Sequence, residues 1–298
     1  MFVSRSKYIE KGVVMSSGSK RVAVVTGAGS GLGREISLGL VARGYQVFGT
    51  ASAQTLVAEL DAASGGGVRL EVVDIVDSAA VDAWAKRVRE EVAGVDLLVS
   101  NAGILTPGPI ELLAIDDVRH EFEVNTFGPL RVINAFLPAL RAARGRIVQI
   151  STITATVPLP FNAASGASKA AAEVFADVYR AELKEFGVDV TIVSPGSMLT
   201  GGPAKSAAAF ERLLAAMTPA QRELYGTPFA RFAEQFNSRQ GEGISATDAA
   251  TQVIDLAEEQ PAPSRRTVGP DAAALLQASK TLTDDELDAL RLQLVGLA

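Results

Sequence analysis

Short apolar runs alternate with longer stretches of helical period along most of this chain. Runs of strand length fall at residues 22–26, 46–50, 69–73, 97–100, 146–150 and 189–193, with a short seventh at 267–269. Helical patterning fills the gaps, most clearly over 78–92, 117–143 and 167–186. Strands that are apolar on both faces and separated by helices predict a parallel sheet covered on each side, because every crossover must return over a face. Right-handed crossovers then wind the layer doubly.

The rhythm changes at 201–243, a stretch rich in alanine, phenylalanine and arginine, where Pro203, Pro219 and Pro228 are expected to divide it into short helices. A helix over 247–259 follows, then a stop at Pro261 and Pro263 and a helical tail over 284–297. There is no internal repeat and no linker-like segment. A chain of 298 residues with 48% hydrophobic content is therefore read as one α/β domain over 21–298. Residues 1–20 are mixed and charged, without the apolar stretch of a signal peptide; a disordered leader is expected there, with Met15 as an alternative start.

Charge and composition narrow the chemistry. A net charge of -6 with no basic run argues against nucleic acid as a partner. The absence of cysteine excludes disulfides and thiolate catalysis. A single histidine, His120, leaves almost no material for a metal site or a serine-histidine triad. No apolar run approaches the ~20 residues that span a bilayer, so a soluble, cytoplasmic protein is expected.

The segment Thr26-Gly27-Ala28-Gly29-Ser30-Gly31-Leu32-Gly33 follows an apolar strand and opens a helix. In that context, glycines let the turn tighten and let a pyrophosphate approach the backbone at a helix N-terminus. A plain glycine-rich turn is the alternative. Asp74, Asn101-Ala102-Gly103, Asn125, Ser151-Thr152, Lys169 and Pro195-Gly196 follow in order. Together these residues resemble the short-chain dehydrogenase/reductase family over about 21–269, and the tail after 268 looks like its retinol- and hydroxysteroid-type members.

The resemblance implies a Rossmann-type sheet of about seven strands and an oxidoreductase using NAD(P)(H) on a hydrophobic alcohol or ketone. It assigns the cofactor to Gly27, Gly29, Ser30, Gly31, Leu32 and Gly33, to Asp74 at the adenine amino group with Ile75 beside the ring, and to Asn101, Ala102 and Gly103. Lys169 would bond the nicotinamide ribose, Pro195 and Gly196 would follow the sixth strand, and Thr200 would hold the carboxamide. It also implies a substrate-covering lid at 201–243 and a homodimer or homotetramer joined through the long helices ending near Ala143 and Phe186. At the end of the second strand, Thr50-Ala51-Ser52-Ala53 carries no acid to repel a 2′-phosphate; Ser52 could bond one weakly, with Arg34 as a second contact, which favours NADP(H) over NAD(H).

The catalytic set departs from the family. Its tyrosine, serine, lysine and helix-interior asparagine fall on Ser165, Thr152, Lys169 and Asn125. Thr152 keeps a hydroxyl. Ser165 does not replace a phenol of pKa about 10, because an aliphatic hydroxyl is a far weaker acid and its oxygen stays close to the backbone. Four readings stay open: a reductase whose proton comes from water in the void or from Tyr225; a non-redox enzyme of isomerase or cyclase type; a pseudoenzyme that keeps the cofactor fold; and an engineered tyrosine-to-serine variant of an ordinary reductase. A Ser165–Lys169 dyad, four apart on a helix, is a remote hydrolytic alternative. Phe210, Phe229, Phe232 and Phe236 either line an apolar pocket or pack an amphipathic helix; Trp84 is expected to pack, and His120 to face solvent or an interface.

Overall fold

A computed structural model describes residues 20–199 and 202–298 of the protein. Its centre is a seven-stranded sheet in which every neighbouring pair is parallel. The chain runs β1 (Val22–Val25), α1 (Gly31–Ala42), β2 (Gln46–Ala51), α2 (Gln54–Ser64), β3 (Val68–Val72), α3 (Ser78–Glu91) and β4 (Leu97–Ser100). It continues through α4 (Ile115–Phe122), α5 (Gly128–Ala143), β5 (Arg146–Ile150), α6 (Ala163–Leu183), β6 (Asp189–Pro195) and β7 (Met198–Leu199). Helix α7 (Gly202–Ala216), the single turn α8 (Pro219–Gln221), α9 (Thr227–Gly241), β8 (Ile244–Ser245), α10 (Ala246–Glu258), β9 (Arg265–Val268), α11 (Pro270–Thr281) and α12 (Asp284–Leu294) complete it.

The strand order is β3-β2-β1-β4-β5-β6-β9, the Rossmann-type arrangement expected from the sequence. The two-residue period of each strand sends alternate side chains to opposite faces. Val24, Leu98, Ile147 and Ile192 meet Trp84, Phe136 and Leu140 on one face, and Val25, Val99, Val148 and Val193 meet Ile36, Leu40 and Val253 on the other. Trp84 packs edge-on against Phe136 with ring centroids 5.0 Å apart, the packing role expected of it.

Several boundaries differ from expectation for local reasons. The predicted helix over 117–143 is interrupted by a π turn at Glu123–Phe127, between α4 and α5. Pro129, in the first turn of α5, has no N–H to offer the carbonyl of Asn125, so the regular ladder does not close there. Helix α6 starts at Ala163, not 167, which puts Ser165 inside its first turn. Pro203 and Pro228 do not break the 201–243 stretch into short helices; each lies in the first turn of a 15-residue helix, where a missing N–H goes unnoticed. The last strand of the sheet begins at Arg265, two residues before the expected run.

Phe210, Phe229 and Phe232 form a separate buried cluster with Met217 and Val295, so the segment between β7 and β8 carries its own small core, tied to the C-terminal end of the chain. The short parallel pair β7–β8 closes the base of that segment. No helix among the described residues is long and apolar enough to cross a membrane.

Candidate functional site

The strand order reverses between β1 and β4, and the connections leaving these strands splay apart to open a crevice at their carboxyl ends. Gly27 adopts a left-handed φ of +64°, which turns the chain from β1 toward α1. A Cβ on Gly33 would stand 2.3 Å from the Gly27 carbonyl oxygen and 2.4 Å from Asn101 Nδ2, so only glycine lets the helix approach this closely. Thr26 Oγ1 accepts from the N–H groups of Asn101 and Ala102 at 2.9 and 3.0 Å, and Thr50 Oγ1 accepts from Gly27 N–H at 3.1 Å. Three strand ends are thereby tied together around the crevice.

The cleft holds about 560 Å³ and is walled by Gly27, Gly29, Ser30, Ser52, Asp74, Ile75 and the run Asn101–Ile104. Ser30 precedes α1 without capping it through its side chain, and the first turn carries no acid, so the unpaired N–H groups there suit an external anion. Leu32 and Gly33 are buried in that first turn, not on the wall; with Gly31 they set the helix in place. Asp74 uses Oδ1 to accept from Val76 N–H and is otherwise exposed. Arg34 pairs with its neighbour Glu35 and is not on the wall. His120, expected to face solvent or an interface, is exposed at the cleft itself. These walls, narrow glycine edges and free helix N–H groups fit a dinucleotide.

A second cavity of about 630 Å³ adjoins the first, with Gly103 and Ile104 on the wall of both. Thr152, Ser165, Lys169 and Gly196 line it; Pro195 is buried at the end of β6, and Thr200 lies outside the described residues. Lys169, buried on α6, donates from Nζ to the Ile150 carbonyl at 3.0 Å. Burial holds its pKa down to about 8, against the pull of Glu121 and Glu173. Asn125 is fully buried and does not face the cavity: its Oδ1 accepts from Ile104 N–H, and its Nδ2 reaches Ile104 O, Ser168 Oγ and Glu121. It fixes the strand exit at Ile104.

Three features went unread in the sequence. Glu121 is buried four residues before Asn125, accepting from Thr106 N–H and Asn125 Nδ2; burial pushes its carboxyl up. Glu173, four residues after Lys169, accepts from Ser151, Ser194 and Arg265. The four-residue helical spacing from the candidate residues Asn125 and Lys169 was the available signal for both. Asn162 is 4% exposed on the cavity wall; its Nδ2 reaches Thr154 Oγ1 at 3.4 Å, while its Oδ1 has no partner among the described residues. Thr154 Oγ1 lies 3.1 Å from Thr152 Oγ1. Tyr225, by contrast, donates its hydroxyl to Glu111 and is absent from the cavity wall, which removes it as the proton donor considered above.

A crevice at the strand-order switch, sharing a wall with a lysine-bearing cavity, defines a dinucleotide-binding fold of the Rossmann type. Residues 21–209 match the short chain dehydrogenase family, and the chain belongs to it. It is similar to 3-ketodihydrosphingosine reductase of Bacteroides thetaiotaomicron, 28% identical over 268 residues that cover 90% of this chain and 94% of that protein. Retinol dehydrogenase 5 of Homo sapiens is 33% identical over 222 residues, covering 71% of this chain and 68% of that one. A short chain dehydrogenase from Burkholderia cenocepacia, solved in complex with NADP, superposes with a TM-score of 0.70 at 27% identity, covering 92% of this chain and 97% of that structure.

Proposed function

We propose that the protein is an NADP(H)-dependent reductase of a hydrophobic ketone, working without the family's tyrosine. The observation that carries this reading is the wall that the two cavities share at Gly103 and Ile104, with Lys169 and Thr152 lining the second. When bound, the nicotinamide supplies or accepts a hydride. Thr152 donates its hydroxyl to the substrate oxygen and Lys169 keeps positive charge near it, so the alkoxide that forms is stabilised where it arises. Protonation then comes from water in the space left by Ser165, hydrogen-bonded to the Asn162 Oδ1 that has no partner among the described residues, and the hydroxide left behind takes a proton from bulk solvent. Ser52 at the cleft wall and the lack of an acid after β2 support NADP(H), as does the name of the Burkholderia structure.

The reading extends to the segment 202–243 as a lid, and to a substrate with an extended apolar body, since two of the relatives are named for sphingosine- and retinol-type compounds. A homodimer or homotetramer is part of the same proposal: Val174, Phe175 and Val178 lie exposed along α6, and Phe127 is exposed just before α5. A non-redox use of the site keeps a place because Ser165 presents no phenol to the cavity.

Titration of the protein with NADPH and NADH by fluorescence, followed by an absorbance assay of nicotinamide oxidation over apolar ketones and aldehydes, tests the proposal. Binding with steady oxidation is the expected result; binding without oxidation would move the site to non-redox chemistry. In the same assay, Ser165→Tyr is expected to raise ketone reduction by about 10²-fold or more, the scale of a placed general acid. No gain would mean that the pocket serves another task.

A further inference from the structure

We infer that the second cavity is shaped for a substrate with an apolar body and an anionic head, and that Arg212 and Arg239 receive the head. This rests on the cavity being the substrate site, as proposed above, and adds the chemical class of what enters.

Among the described residues, the charged lining of the cavity consists of Lys169, Arg212, Arg239 and Asp271. Three cations against one carboxylate is the reverse of a chain whose net charge is -6. Asp271 is already engaged, accepting from Ser197 N–H at 2.8 Å and packing against Gly196. The polar groups fall into two sets. Thr152, Thr154, Asn162, Ser165 and Lys169 come from the β5–α6 side, where the reaction is placed; Arg212, Arg239 and Gln240 come from α7 and α9. Ile104, Leu159, Met198, Phe236, Leu275 and Leu294 supply the apolar lining.

The two arginines differ from most others in the molecule. Arg21, Arg43, Arg69, Arg87, Arg131 and Arg265 each pair with a carboxylate. Arg212 has no ion pair or side-chain hydrogen bond among the described residues, and Arg239 uses only Nε, donating to the Leu294 carbonyl at 3.1 Å. That bond aims the guanidinium and leaves its terminal amino groups for a ligand. A guanidinium fork matches carboxylate, phosphate and sulfonate oxygens alike, and two forks on neighbouring helices favour a compact anion over a neutral polar group. The lid then recognises the head while the β5–α6 wall addresses the reacting carbonyl or hydroxyl, with the apolar body between.

The test is calorimetric titration of the full-length protein, saturated with NADP⁺, with decanoate and in parallel with 2-decanone as an uncharged probe of similar length. The proposal expects decanoate to bind more tightly than the ketone, and the double variant Arg212→Gln/Arg239→Gln to lose about tenfold or more of the decanoate affinity while ketone affinity stays within about twofold. Rising salt should weaken decanoate alone. The variant Arg212→Lys/Arg239→Lys, which keeps the charge and loses the fork, should bind decanoate more weakly than the unaltered protein and more tightly than the glutamine pair, and NADP⁺ affinity reports whether each variant is folded. No binding of decanoate, equal losses for both probes, or an unchanged double variant would each overturn the proposal. Because the readout is binding, a protein that never oxidises NADPH can still pass, and if NADP⁺ itself does not bind, the same titration is run without it, with the melting temperature reporting whether each variant is folded.

Discussion

The two cavities share a wall at Gly103 and Ile104, yet they are made of different material. The first is made largely of backbone: a left-handed glycine, a helix pressed against a strand end, and Thr26 and Thr50 bonding neighbouring main chains. The second is made largely of side chains delivered by the segment between β5 and α6 and by α6, α7, α9, α11 and α12. A backbone site changes only when the fold does, whereas a side-chain site is rewritten one residue at a time. That difference explains how a serine can stand at position 165 beside an otherwise intact glycine turn and Lys169.

The sharpest way to break the comparison is to put a side chain where the first site has none. Gly33→Val drives atoms into the Gly27 carbonyl; a cost of at least about 3 kcal/mol in stability and loss of NADPH binding are expected, by thermal melting and fluorescence titration. If the variant bound normally, the claim of a backbone-made cleft would fail. On the side-chain site, Lys169→Ala should lower nicotinamide oxidation by about 10²- to 10⁴-fold with the fold retained. A change in cofactor affinity alone would point to a scaffold.

The segment 202–243 offers an intermediate case. Phe232 packs against Phe210 and Phe229 in a core separate from the sheet, so Phe232→Ala should cost about 3–5 kcal/mol of local stability there. Hydrogen exchange should show faster opening of α7 and α9 with the β1–β4 region unchanged. The smallest effect is set by pH. Burial lowers the folded Lys169 pKa from 10.5 to about 8, so turnover that depends on its charge should fall as pH rises through about 8, and Lys169→Arg should move that fall upward. Between these two values the unfolded chain holds the proton that the folded chain has released, so stability against unfolding rises with pH across that window as far as this group is concerned.

Most of the sheet was legible because its signal is local and repeated: apolar runs, helical periods and a glycine turn that each act within a few residues. The interruption near Asn125 was harder to read, since Pro129 removes one N–H from a helix whose periodicity is otherwise unbroken. The two long helices α7 and α9 were misread for the opposite reason, because proline in a first turn resembles a break when only the residue type is seen. Glu121, Glu173 and Asn162 carry no motif. Their roles arise from partners such as Thr106, Arg265 and Thr154, and for Glu173 the Arg265 partner lies 92 residues away.

The amino-acid sequence by itself determined the doubly wound sheet, the glycine turn at 26–33, the family resemblance and the absence of a phenol at position 165. Tertiary structure alone decided that Asn125 supports the strand exit without facing the cavity, that Tyr225 is engaged elsewhere, and that Arg212 and Arg239 reach a common cavity with Lys169. The reason is physical: periodicity and backbone freedom are properties of neighbouring residues, whereas burial, shared walls and the pKa of Lys169 depend on groups that only folding brings within reach.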